Sequence, residues 1–304
     1  MLIDEVAKTI SVRQSWLDTA FNCPERGRLD IASPVREEGD AAACGTASHA
    51  AVEQFLLGNI SLDQIEHYAR QHAQRMADEG VRQDDGSVIQ LAYKSLDGPN
   101  DLIYHAGNCA RGWIEDVWPY IHAKWGDTAV GGGLCEAKFE FDAFMYRDWL
   151  VKFQGTVDYV PPWGNELMDF KFPGRDYKQK EKQQQAVQPT VYTAAAVAGC
   201  FARQDDAAEP FTWPVTFTYG IGLRLKTKSR GQLVQVQRTQ GHVDWLYRRV
   251  RTFVNLYLDL GLDAEWPTNE AYVLCSDKWC SWYRDCRGAH VSRDMDLYGW
   301  QQAA

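Results

Sequence analysis

The chain is expected to fold as an α/β protein with one central mixed sheet flanked by helices. Three observations point there. Helical stretches come first, strand-like segments cluster between residues 134 and 172, and helix, strands and helix follow. Gln232 to Gln237 alternates apolar and polar residues, as a sheet with one wet face does. His242 to Leu260 carries Val243, Leu246, Val250, Phe253, Val254 and Tyr257 on one helical stripe.

The elements follow in order. Ser11 to Phe21 reads as a short helix with Trp16, Leu17, Ala20 and Phe21 toward the core. Cys23-Pro24 ends it, because the residue before proline resists helical dihedrals. Gly45 to Leu57 is a second helix, closed by Gly58. Leu62 to Asp78 and Asp101 to Trp125 read as helical, with a polar connection from Glu79 to Asn100 between them. Gly131-Gly132-Gly133 marks a loop before strands over Leu134–Phe141, Leu150–Val160 and Glu166–Phe172. Lys180 to Cys200 is expected to be helical. Phe211 to Leu225 and Leu233 to Gln240 are expected as strands joined near Ser229-Arg230-Gly231. The tail from Glu265 reads as irregular. No internal repeat or linker is evident, so residues 1–304 are expected to form a single domain with a helical insertion at about 60–125.

Composition narrows the function. The 304 residues are 45% hydrophobic and 12% aromatic, enough for a sizeable core. No run of 18 apolar residues suits a membrane span, and Met1 to Ile10 has no signal-peptide core, so a cytoplasmic location is expected. Eight cysteines in that setting suggest metal or cluster chemistry more than disulfides. The net charge of −9 runs against a general nucleic-acid binder, but two stretches are locally basic. One holds Lys171, Arg175, Lys178, Lys180 and Lys182; the other holds Arg224, Lys226, Lys228, Arg230, Arg238, Arg248, Arg249 and Arg251. Each reads either as a solvated face or as a path for phosphates.

Four motifs carry chemistry. Gly155-Thr156-Val157-Asp158 precedes Asp169-Phe170-Lys171, with a turn at Pro161-Pro162-Trp163-Gly164-Asn165 between them. Asp169 and Lys171 share one strand face, Met168, Phe170 and Phe172 the other, and a hairpin would bring Asp158 beside Asp169. Two carboxylates and an amine there make either a solvated strand face or a site for a hard divalent cation and an activated water. On the second helix His49, Val52, Glu53 and Leu56 share a face, which sets two ionisable groups on an apolar stripe. Gln188-Pro189-Thr190-Val191-Tyr192 spaces Gln188 and Tyr192 for one helical face, provided the helix begins near Pro189 or bends there. Cys275, Cys280 and Cys286 lie close together, and Cys23 lies near the other end; the four thiols suit an iron–sulfur cluster, zinc, or no ligand at all. Cys44, Cys109, Cys135 and Cys200 read as core fillers. Glu136 reads as an accessory acid or a strand-edge charge.

Taken in order, these motifs resemble the PD-(D/E)XK nuclease superfamily, in its RecB-type branch with an iron–sulfur cluster, as in CRISPR-adaptation nucleases and the AddB nuclease domain. The resemblance covers about residues 11–286, with 60–125 unmatched. It implies a restriction-endonuclease-like core. It also implies a Mg²⁺- or Mn²⁺-dependent deoxyribonuclease, an exonuclease on single-stranded DNA or DNA ends. Asp158, Asp169 and Lys171 would be catalytic; His49, Asp158, Asp169 and the Phe170 carbonyl would bind the metal. Gln188, Tyr192 and Glu53 would support the site or the DNA. Cys23, Cys275, Cys280 and Cys286 would hold a [4Fe–4S] cluster stapling the chain ends. The gap from Cys275 to Cys280 is wider than the family's, and Pro189 departs from a plain Gln-x-x-x-Tyr helix. Partners would be DNA and recombination, repair, phage or CRISPR-adaptation proteins, in a prokaryotic or phage-infected cell. A catalytically silent DNA-binding scaffold and an iron–sulfur redox protein are the alternatives.

Overall fold

The computed structural model describes residues 1–32, 39–82, 86–203, 209–269, 271, 275–276, 280–283 and 286. In chain order it begins with β1 (Leu2–Asp4), β2 (Thr9–Arg13), α1 (Gln14–Asn22), α2 (Pro24–Ala32) and α3 (Asp40–Leu56). Next come α4 (Ile65–Glu79), β3 (Val81–Arg82), β4 (Val88–Ile89), α5 (Pro99–Asp116), α6 (Trp118–Trp125) and the single turn α7 (Ala129–Gly132). Then follow β5 (Leu134–Tyr146), β6 (Trp149–Val160), β7 (Glu166–Lys171), α8 (Gln179–Gln185), α9 (Val187–Val197), β8 (Val215–Gly222), β9 (Gly231–Arg238) and α10 (Gln240–Leu260). Two compact units emerge, one of Met1–Arg36, Phe141–Gln154 and Val243–Ala304, the other of Glu37–Glu140 and Gly155–His242.

In the first unit β1 pairs antiparallel with β2, and β2 runs parallel to the opening half of β6, with Ile10 opposite Val151 and Val12 opposite Phe153. Residues 11–13, expected to open a helix, therefore extend a strand. Ile10 and Val12 alternate with polar residues, and both are fully buried, so the period-2 pattern prevails until Gln14. The expected apolar stripe of α10 is buried as a whole. Its Phe253 stacks on Phe21 and meets Trp16 edge-on, fixing α1 against it. The described part of the tail lies against α2. Trp266 N–H donates to Glu25 Oε2 (2.7 Å), and Trp282 Nε1 donates to Asp30 Oδ1 (2.7 Å).

The second unit carries the mixed sheet. β6 pairs antiparallel with β7, β7 runs parallel to β8 from Glu166–Thr216 to Lys171–Ile221, and β8 pairs antiparallel with β9. Met168 and Phe170 face a core built with α3, α4 and α5, where Trp113 meets Phe170 edge-on. Phe217, on the opposite face, meets Tyr192 of α9. Helices thus cover both faces of β7, and β7 is buried except at Lys171. The helix expected over 180–200 is two helices. Ala186 is extended (ψ 122°) and separates α8 from α9. That break puts Pro189 in the first turn of α9, where no intrahelical N–H bond is lost.

Candidate active site

All residues of the proposed catalytic set lie within the second unit. The turn at residues 161–165 closes the β6–β7 hairpin. Gly164 takes the left-handed φ of +90° there, and Asn165 Nδ2 donates to the Thr212 and Pro214 carbonyls. Tyr159 stands opposite Met168, so the next positions along the two strands are Asp158 and Asp169. Asp158 Oδ2 accepts from the Phe170 backbone N–H at 2.6 Å, which locks the carboxylate across the hairpin. Lys171 Nζ lies 2.7 Å from Asp169 Oδ2, as same-face spacing on a strand requires.

α3 brings the histidine. Its small residues Ala43, Ala47 and Ala51 are fully buried, which lets the helix approach closely. His49 Nε2 then reaches Asp158 Oδ2 at 3.0 Å and Glu136 Oε1 at 3.4 Å. One ligand atom each from His49, Glu136 and Asp158 can lie within 4.8 Å of one another. Glu136 holds a left-handed φ of 48° inside β5, a conformation rare for a side chain of its kind. Gln188 Nε2 donates to Asp169 Oδ1 at 2.7 Å and lies 3.4 Å from the Tyr192 hydroxyl. The early start of α9 is what aims Gln188 at the strand.

The electrostatics are those of crowded acids. Burial works against charge on His49, but Asp158, Glu136 and Asp169 outweigh it and push the imidazole up to about 9. Burial and the neighbouring Asp158 charge push Asp169 up to about 7, against the pull of Lys171. Burial also opposes the Asp158 charge, but His49, Lys171 and the Phe170 N–H hold its carboxyl below the usual range. Burial disfavours the Lys171 ammonium, yet the two aspartates hold its pKa above the ordinary value. A divalent cation would take over the role that protons and Lys171 play here. The donor set, one imidazole and three carboxylates, fits Mg²⁺ or Mn²⁺. The group opens on a cavity of about 610 Å³ that Glu53, Phe170, Phe172 and His72 also line.

The structure brings together His49, Asp158, Asp169, Phe170, Lys171, Gln188 and Tyr192, and sets Glu53 on the cavity wall. Glu136, which the sequence left as an accessory acid or strand-edge charge, faces His49 directly. Its one sequence signal is its place at the start of the strand that pairs with β6. His72 of α4 has no such signal. In the other unit, burial pushes the Cys280 thiol up, and the nearby Cys23 and Cys286 add to the shift. Cys275 is half-buried in the same tail.

A mixed sheet whose hairpin presents two aspartates and a lysine beside a helix-borne histidine defines a class of phosphodiester-cutting folds. The chain belongs to that class: the family model of the PD-(D/E)XK nuclease superfamily matches residues 14–287. In structure the chain is similar to a protein of Eubacterium rectale described as a "Putative exonuclease", with 12% identity, TM-score 0.49 and 99% of both chains covered. No curated protein sequence matches it. No helix among the described residues is long and apolar enough to cross a membrane.

Proposed function

We propose that the protein is a metal-dependent deoxyribonuclease that works as an exonuclease on single-stranded DNA or DNA ends. The observation that carries this reading is the contact of His49 with Asp158, across the hairpin from the Asp169–Lys171 pair. His49, Glu136, Asp158, Asp169 and the Phe170 carbonyl would hold Mg²⁺ or Mn²⁺, and the imidazole favours Mn²⁺. Such an ion, when bound, polarises a phosphoryl oxygen and lowers the pKa of a bound water. The chain's own groups do the rest. Lys171 is one-third exposed to the cavity and donates toward the attacking water and the developing phosphate charge. Gln188 holds the Asp169 carboxylate in one rotamer, and Tyr192 backs Gln188.

Asp169→Ala and Lys171→Ala are expected to give folded proteins that no longer cleave single-stranded DNA with Mn²⁺. Full cleavage by either variant would overturn the assignment.

A [4Fe–4S] cluster on Cys23, Cys275, Cys280 and Cys286 is proposed as a staple of the first unit. The nearness of Cys23 and Cys286 to Cys280 supports it, as does the seating of the tail beside α2. Anaerobically purified protein is then brown, with iron and acid-labile sulfide that Cys23→Ser loses. Stoichiometric zinc in a colourless preparation would replace the cluster with a zinc site.

A further inference from the structure

Lys171 stands opposite Ile221 in the parallel ladder, and Arg224 follows Ile221 by three residues, about 10 Å of extended chain. The chain leaving the catalytic strand is laced to the β8–β9 hairpin at that point. Arg224 N–H donates to the Pro173 carbonyl (2.9 Å). Gln232 accepts from the Tyr177 N–H and donates to its carbonyl, both at 2.9 Å, and Arg230 pairs with Asp176. Behind the hairpin stands α5. A Cβ at Gly112 would lie 2.4 Å from the Arg230 carbonyl oxygen, and Gly231 N–H donates to Asp116 Oδ2 at 2.6 Å. The hairpin backbone is therefore braced by contacts that do not involve the Arg224, Lys226 or Lys228 side chains.

Those side chains carry one sign of charge. Leu223 to Gly231 contains Arg224, Lys226, Lys228 and Arg230 and no acid, in a chain of net charge −9. Among the described residues only Arg230 has a carboxylate in ion-pair contact. Lys226, Lys228 and the neighbouring Arg175 are exposed. Arg224 keeps its Nη1 buried without a hydrogen-bond partner, and a Cβ at Gly174 would lie 3.3 Å from its Nη2. Like charges held together on a braced hairpin repel one another until a polyanion neutralises them.

We propose that this hairpin, with the segment 172–178, is a phosphate track that grips the DNA strand beyond the cleaved bond, through Arg175, Arg224, Lys226 and Lys228. The site rests on the nuclease reading for its ligand but not for its chemistry. Each cation that neutralises a phosphate of a single strand adds about 0.7 to the slope of log affinity against log salt.

The test is binding of a fluorescein-labelled 30-nucleotide single strand to the full chain in EDTA, across a salt series. Arg224→Gln/Lys226→Gln/Lys228→Gln is expected to lower the slope by about 2 and to raise Kd at least tenfold at low salt. With Mn²⁺ its KM rises while kcat stays within about twofold. Wild-type slope and affinity in the triple variant overturn the proposal. If the triple variant does not fold, Lys226→Gln/Lys228→Gln, confined to exposed positions, carries the test with an expected fall of about 1.4. Wild-type protein that binds in EDTA but does not cut with Mn²⁺ removes the nuclease reading and leaves the track standing.

Discussion

Gln188 donates from Nε2 to Asp169 Oδ1 at 2.7 Å, while Lys171 holds the other oxygen of the same carboxylate at 2.7 Å. Asp169 is fully buried, so both oxygens are fixed by named partners, one from the helix after the strand and one from the strand itself. Carboxylates held this way keep the geometry that metal binding needs.

Gln188→Ala is therefore expected to leave the fold intact and to lower Mn²⁺-dependent cleavage by about 10- to 100-fold, the usual effect of removing a group that orients a ligand. Single-turnover cleavage rates measure it. An unchanged rate would mean that Lys171 alone orients Asp169.

Glu136 lies 3.4 Å from His49 and completes the acid cluster. Glu136→Gln is expected to raise the Mn²⁺ concentration for half-maximal cleavage by about 10- to 100-fold, again the scale of a lost metal-site partner. A Mn²⁺ titration with and without the substitution decides it. Identical titration curves would return Glu136 to the role of a strand-edge charge.

The metal-free protein should lose stability between about pH 6.5 and pH 9. His49 is raised to about 9 in the fold from an ordinary 6.5, so its contribution is fully present below 6.5 and is lost as pH rises through 9. Above that range Asp158 and Glu136 lose the imidazolium and keep Lys171 as their nearby cation. Tm in EDTA should fall across that window, and Mn²⁺ should flatten the fall by taking the proton's place. His49→Gln should show neither effect.

Gly112→Ala would drive a methyl group into the Arg230 backbone at 2.4 Å, with no flexible side chain to give way. Overpacking of this kind costs about 1–3 kcal/mol. Urea unfolding should show a lower midpoint with an unchanged slope.

Much of the fold was legible because its patterns are local. The α10 stripe and the alternating run in β9 follow from periodicity, the β6–β7 hairpin from the turn residues between two strands, and each lies where its pattern put it. Boundaries failed where two periods overlapped, as at residues 11–13, whose side chains suit either a helix or the strand that pairs with β6. The break at Ala186 was open in the sequence as two possibilities for Pro189, and the packing of α9 on Phe217 accompanies the early start.

By itself the sequence determined which side chains make up the candidate site and which of them share a face. Asp158, Asp169 and Lys171 are set on their strands by the alternation of side chains, and His49 shares a helix face with Val52, Glu53 and Leu56. Only the tertiary structure decided which acids meet. Glu136 reaches His49, from the far side of a long chain segment, because a left-handed residue in β5 turns it there. Local spacing carries no information about such a meeting. It depends on strand pairing and on helix approach, which are set by burial of residues distant in sequence.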